Sequence, residues 1–233
     1  MNLNGIDACK QVRARTDTCF LGFSAGKDSV ATWLRLREFF PKVVPIFHYW
    51  LPDLEFVKKT LNYYEEYFQT RIVRLPHPGL SQMLRYGSFQ PPERYQICEW
   101  WGLDDADFRE QCDFVAEDHG IDPANAWLAV GLRSADSVRR LMFFQKYGTV
   151  NERLCKFYPI AEYRKPDLIA AFEAARIKLA PEYAMMPRSF DGITIDYLRA
   201  IKENFPQDYA RIVDWFPMVE CEFYRAEVYN AKS

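Results

Sequence analysis

The chain has 233 residues and a formal charge of −2, with 49% hydrophobic and 16% aromatic residues. That composition suits one globular α/β domain with room for a small appendage, and it excludes a disordered chain. So small a net charge exerts no general pull toward nucleic acid or an anionic membrane, so an anionic ligand must be held by a local cluster.

Short β-branched or aromatic runs alternate with helical periods, which predicts a mainly parallel sheet covered on both faces. Thr18–Phe23 reads as the first strand and Asp28–Phe40 as a helix, with Val30, Trp33, Leu34 and Arg37 at helical spacing. Val43–His48 is a second strand, made irregular or edge-like by Pro45. Leu54, Val57, Leu61, Tyr64 and Phe68 recur as in an amphipathic helix, and Arg71–Leu75 is a third strand. From Pro76 to about residue 103 the periodicity is weak, and His77-Pro78-Gly79, Pro91-Pro92 and Trp100-Trp101 suggest an ordered insertion. Asp104–His119 is predicted helical, closed by Gly120. Ala126–Leu132 is a buried strand, Ala135–Tyr147 a helix stopped near Gly148, and Cys155–Ile160 a strand. Pro166 is a first-turn proline ahead of the helix Asp167–Leu179. Beyond about Pro181, Ile193–Phe205 and Pro206–Phe216 read as two short helices. The expected organisation is therefore an α/β domain over 1–180, with the insertion at about 76–103, and a helical cap over 181–233.

The N-terminal Met1-Asn2-Leu3-Asn4-Gly5-Ile6-Asp7 has no apolar core flanked by basic residues, and no later run is long enough to span a bilayer. A cytoplasmic protein is expected. Cys9, Cys19, Cys98, Cys112, Cys155 and Cys221 lack any Cys-x-x-Cys spacing and are expected to be reduced thiols. His48, His77 and His119 lie far apart in sequence, so no zinc site is expected.

Directly after the first strand stands Phe23-Ser24-Ala25-Gly26-Lys27-Asp28-Ser29. Small residues let the backbone turn and gather N–H groups, and the following helix adds its unpaired amides and positive dipole end. Lys27 supplies a charge, and Ser24 and Ser29 supply hydroxyls. A Walker A loop fails, because Leu21 occupies the first glycine position and Asp28 follows the lysine. The dinucleotide fingerprint Gly-x-Gly-x-x-Gly is absent. A turn of small residues capped by Asp28 or Ser24 is the structural alternative.

A second segment, Gly131-Leu132-Arg133-Ser134-Ala135-Asp136-Ser137-Val138-Arg139-Arg140, follows a later strand and opens a helix. Gly131 permits close approach, Arg133 can reach a phosphate bidentately, and Asp136 or Ser137 can cap the helix. Only one of Arg139 and Arg140 can face a ligand, and Arg139 is taken as that residue.

The first segment resembles the Ser-Gly-Gly-x-Asp-Ser loop of the PP-loop ATP pyrophosphatases, with the Lys-Asp-Ser ending of the phosphoadenosine phosphosulfate (PAPS) reductase branch. Ala25 replaces the first glycine, which requires Ala25 to avoid positive φ. The second resembles the Gly-Ile-Arg-x-x-Glu-Ser-x-x-Arg segment of the same branch. The resemblance implies a doubly wound, mainly parallel five-stranded sheet of the HUP, adenine nucleotide α-hydrolase-like type. It implies ATP or a PAPS-like adenosine nucleotide, with adenine near Phe23 and His48, and magnesium with ATP near Asp28. Lys27 and Arg133 would stabilise charge on the phosphates. Asp53 and Glu55 sit where relatives carry Asp-Thr-Gly, but the local match is poor and they receive no role.

PAPS reductases carry a Glu-Cys-Gly-Leu-His segment, of which only Glu220-Cys221 is present here. Cys221 is expected to pack within a strand-like alternation, its flanking carboxylates opposing a thiolate. Cys98 is expected to be covered, Trp100 and Trp101 to pack or to stack on a base, and no iron–sulfur cluster is expected. Three functions remain: attack on the α-phosphate of ATP by an unknown acceptor, thiol-dependent PAPS reduction through Cys221, and non-catalytic nucleotide sensing. A homodimer or partner subunit stays open.

Overall fold

The computed structural model describes residues 3–101, 107–180, 185 and 192–230. Asn4 opens the first helix, α1 (Gly5–Arg13), by accepting from the amides of Ile6 and Asp7. β1 (Thr18–Gly22) leads into α2 (Lys27–Leu36), β2 (Lys42–Tyr49), α3 (Glu55–Phe68) and β3 (Val73–Pro76). The weakly periodic stretch holds two helices, α4 (Pro78–Arg85) and α5 (Pro92–Trp101). Pro78 stands in the first turn of α4, and His77 is the N-cap, its Nδ1 accepting from the Gly79 amide at 2.9 Å. α6 (Phe108–Asp118) follows; the first residues of the helix predicted from Asp104 lie outside the described residues. Then come β4 (Leu128–Val130), α7 (Val138–Tyr147), β5 (Val150–Asn151), β6 (Lys156–Phe157) and α8 (Lys165–Ala175). α9 (Ile195–Asn204), α10 (Pro206–Trp215) and α11 (Cys221–Asn230) are the last helices among the described residues.

Among the described residues the sheet has six strands in the order β3-β2-β1-β4-β6-β5, one more than predicted. β2 with β1, β1 with β4 and β4 with β6 pair parallel, whereas β5 is antiparallel to β6. The extra strand, Val150–Asn151, lies between the helix predicted to Tyr147 and the predicted strand Cys155–Ile160, where no element was expected. Cys155 takes a left-handed conformation at φ 45°, so the chain turns back through Glu152–Leu154 and only Lys156–Phe157 continues the ladder. Chain order reverses about β1, whose neighbours are β2 on one side and β4 on the other. In open α/β sheets such a switch point is where a crevice opens at the carboxyl ends of the strands. The register aligns Gly22 with Val130, so the loops leaving β1 and β4 start side by side.

The chain divides into two compact units. The first runs to Phe47 and resumes over Tyr64–Arg74 and Arg109–Leu179; the second comprises His48–Tyr63, Leu75–Phe108 and the chain from Ala180. The core of the first unit forms around β1 and α2, because Phe20, Leu21, Val30, Trp33 and Leu36 are all buried. Trp33 stacks on Phe68 at 3.8 Å between centroids, and Phe23 meets both Trp33 and Tyr64 edge-on. Arg35 is buried on the same helix and donates to the Tyr163 hydroxyl at 2.6 Å, its ion pair with Glu162 completing the neutralisation. No helix among the described residues is long and apolar enough to cross a membrane.

The second unit has its own apolar core, with Leu51, Leu54, Phe56 and Leu80 against Tyr197, Leu198, Ile201, Ile212 and Phe216. Its polar anchor is Asp208, a buried carboxylate on α10. One oxygen accepts from the Glu55 amide at 2.8 Å and the other from the Phe56 amide at 3.0 Å. These are orphan donors of the first turn of α3, so a residue more than 150 positions away caps that helix. Asp208→Ala is therefore expected to cost about 2–3 kcal/mol, the scale of a charged hydrogen bond network. Denaturant titration measures this, and a variant as stable as the parent would rule out the capping role.

Candidate functional site

The loop after β1 is built on a continuing strand. The Phe23 amide donates to the Ile46 carbonyl at 2.9 Å, and the Phe23 ring is buried in the core. Phe23 thus marks the strand end with its backbone, and its side chain is not offered to a ligand. Ala25 then adopts φ +58°, which corrects the expectation that it avoids the left-handed region. For an alanine this conformation costs on the order of 1 kcal/mol, because Cβ crowds the following carbonyl. It is held by a hydroxyl chain: Ser24 Oγ donates to Ser29 Oγ at 3.3 Å, and Ser29 Oγ donates to the Gly26 carbonyl at 2.9 Å.

Gly26 is the N-cap of α2 and makes no side-chain cap hydrogen bond, having no side chain to offer. The first-turn amides, with the positive end of the dipole, are therefore left for an anion. Neither Ser24 nor Asp28 caps the helix, so the capped-turn alternative does not describe this loop.

The loop after β4 is drawn against the first turn of α2. A Cβ on Gly131 would stand 2.9 Å from the Asp28 carbonyl oxygen and from Thr32 Oγ1, so only glycine fits. Thr32 Oγ1 in turn donates to the Asp28 carbonyl at 2.8 Å. Across this contact runs a chain of alternating charges. Lys27 Nζ lies 3.2 Å from Asp28 Oδ2, and Asp28 Oδ1 lies 2.7 Å from Arg133 Nε. Arg133 Nη2 donates to Asp136 Oδ1 at 2.5 Å, and Asp136 Oδ2 pairs with Arg140 Nη1. The Asp28–Arg133 contact is Coulombic rather than an aligned hydrogen bond, since neither Asp28 Oδ1 nor Arg133 Nε has a hydrogen-bond partner.

Three cations face two carboxylates, so one positive charge is left over. The accessible cations are the two ends, Lys27 at 42% and Arg140 at 43% side-chain exposure, while Arg133 is only 8% exposed. Arg133, expected to grip a phosphate, is instead committed to carboxylates. On α7 it is Arg140 that joins the cluster, and Arg139 is exposed to solvent. Ser137, one of the two capping candidates, is the N-cap, accepting from the Arg140 amide at 3.2 Å. The Asp136–Arg140 pair was readable as an i, i+4 spacing, but its link to Arg133 depends on the fold.

His48 belongs to the second unit, where its ring meets Phe108 edge-on at 4.9 Å and His77 at 6.4 Å. His77 stacks on Trp50 at 4.0 Å. Asp53 takes φ 63° and pairs with Lys58 at 3.0 Å, while Glu55 lies in the first turn of α3, so both serve local structure.

Asp28 is the carboxylate best placed for a metal. Its Oδ1 is turned onto Arg133, so the oxygen a metal could meet is Oδ2, on the side of Lys27. Among the described residues no group of three or more His, Cys, Asp or Glu converges to cage an ion. A single carboxylate beside an anion site fits magnesium carried by a polyphosphate, which brings most of its own oxygen ligands.

The cysteines separate by environment. Burial pushes the Cys9 thiol up to about 12 and the Cys112 thiol up to about 11, and raises Cys19 as well. These are packing residues. Cys221 is exposed and opens α11, which corrects the expectation of a packed, strand-like position. Both flanking carboxylates are occupied: Glu220 accepts from the Tyr209 hydroxyl at 2.9 Å and from Lys202, and Glu222 pairs with Arg225. The Tyr209 hydrogen bond, then Lys202, holds the Glu220 carboxyl below its usual range. The Cys98 and Trp101 side chains lie outside the described residues, and Trp100 is exposed on α5.

No family model matches the sequence, and no curated protein matches it. Among solved structures, the chain is similar to the NH3-dependent NAD synthetase from Campylobacter jejuni subsp. jejuni NCTC 11168 in complex with the nitrate ion. The identity is 12%, over 95% of this chain and 92% of that chain, with a TM-score of 0.45.

The strained alanine yields a direct test. Ala25→Gly should raise stability by up to about 1 kcal/mol, the relief of left-handed strain exceeding the extra entropy of an unfolded glycine. Ala25→Val should lower it. Denaturation midpoints measure both, and a destabilised glycine variant would contradict the strain.

Proposed function

We propose that the chain is a PP-loop enzyme that binds ATP or a related adenosine nucleotide. In this reading an acceptor attacks the α-phosphorus and pyrophosphate leaves. One observation carries it: the uncapped N-terminus of α2, bearing Lys27, opens at the carboxyl end of β1 beside the loop from β4. The match of both loops to the two PP-loop segments supports the same ligand. The Ser24–Ser29 loop amides would cradle the phosphates, and Lys27 would follow charge as it moves onto the departing pyrophosphate. Arg140, the other accessible cation, would stabilise the outer part of the polyphosphate. Gly131 would keep the two loops in contact. Asp28 would hold magnesium, which would supply positive charge to offset that of the phosphates. Because the loop is preorganised, positioning and electrostatics account for the chemistry asked of these residues.

Lys27→Ala should weaken triphosphate binding far more than adenosine binding. The expected loss is about ten- to a hundredfold, the scale of one charged hydrogen bond. Calorimetric titration measures it, and equal ATP affinity in both proteins would remove the loop from the site. Pyrophosphate release with trial acceptors separates an enzyme from a nucleotide sensor.

A thiol-dependent reductase is the second reading, supported by the exposure of Cys221. The lack of Gly-Leu-His after Glu220-Cys221 places it behind the first. Cys221→Ser should therefore leave nucleotide turnover unchanged. Complete loss of activity in a folded Cys221→Ser protein, with sulfite release by the parent, would reverse the order.

A further inference from the structure

We infer that Arg133 is a positioning residue for the carboxylates of Asp28 and Asp136 rather than a phosphate ligand, an assignment that rests on the nucleotide reading above. An arginine that reads a phosphate keeps the open side of its fork toward the ligand. Arg133 does the opposite. Its Nε is set against Asp28 Oδ1, its Nη2 donates to Asp136 Oδ1, and the side chain is almost wholly buried. The accessible cations are Lys27 and Arg140, at the two ends of the chain of charges.

What the buried guanidinium does is orient. Asp28 has two oxygens with different duties: Oδ1 is drawn inward onto Arg133, which leaves Oδ2 on the side of Lys27. Asp136 likewise turns Oδ1 to Arg133 and Oδ2 to Arg140, so one guanidinium sets the direction of two carboxylates. Partners of this kind fix a metal-holding carboxylate and tune its affinity without touching the ligand. Arg133 therefore governs how Asp28 meets a magnesium ion arriving with the nucleotide, and leaves the direct grip on phosphate to Lys27 and the α2 amides.

The two roles differ in their magnesium dependence. ATP affinity is measured by calorimetry in EDTA and in excess magnesium, for the parent, Lys27→Ala, Arg133→Gln and Asp136→Asn. Arg133→Gln is expected to weaken magnesium–ATP binding by about tenfold or more, as loss of an outer-shell partner does, while magnesium-free ATP binding falls by much less than in Lys27→Ala. A loss of magnesium-free binding as large as that in Lys27→Ala would make Arg133 a phosphate ligand and overturn the assignment. Should Arg133→Gln fail to fold, Asp136→Asn answers from the less buried side. It frees one anchor of Arg133, so magnesium–ATP binding should fall and magnesium-free binding should hold. A gain in magnesium-free affinity would mean a released Arg133 reaches phosphate, and the assignment would fall. A parent that binds no ATP in either condition removes the nucleotide reading and this inference with it. A parent whose binding depends on Lys27 but not on magnesium through Arg133 removes the inference alone.

Discussion

The contact between Asp28 and Arg133 ties together the loops that leave β1 and β4, and the rest of the site is arranged around it. A carboxylate inside the first turn of α2 is favourable for the helix dipole, but it also competes with any anion for the same positive end. Arg133 draws one oxygen of that carboxylate away, and Lys27 stands near the other. Taking these charges out of water is costly, and the cost is recovered only when both loops are in place. Removing one partner leaves the other buried and uncompensated. Gly131 makes the approach possible, since any side chain there would collide with the Asp28 carbonyl.

A second constraint acts along the chain instead of across it. Strand pairing persists to Phe23, and α2 begins at Lys27, so three residues must turn the backbone. Ala25 absorbs the turn at positive φ, and the Ser24–Ser29–Gly26 hydroxyl chain holds it. Backbone strain of this kind persists only where the surroundings over-determine it, and it clusters at functional sites. Here the surroundings are a ladder hydrogen bond on one side and a buried serine on the other.

The chain crosses between its two units several times, with both β2 and α3 spanning a boundary. No single cut in the sequence separates them. Each unit nonetheless closes its own polar account. In the first, Glu162 pairs with Arg35 and accepts the Gly5 amide; in the second, Asp208 caps α3. Both are buried or half-buried carboxylates satisfied by groups remote in sequence, which is how a packed interior tolerates charge.

Local pattern alone determined the βα alternation, the small-residue loop after β1 and the second loop after β4. Hydrophobic period and turn chemistry are properties of neighbouring residues, and Gly26, Lys27, Ser29 and Gly131 lie next to the strands that position them. The Ile195–Asn204 and Pro206–Trp215 helices were legible for the same reason. Tertiary structure decided what depends on residues meeting across the fold. It paired Val150–Asn151 with Lys156–Phe157 as a sixth strand, because a left-handed Cys155 reversed the chain ahead of the strand that local pattern showed. It put Ala25 at positive φ where composition argued against it, turned Arg133 inward onto two carboxylates, and brought Arg140 rather than Arg139 into the cluster. Which charge faces a ligand and which is spent on a neighbour is set by burial and by partners a hundred residues away, and no local spacing encodes that choice.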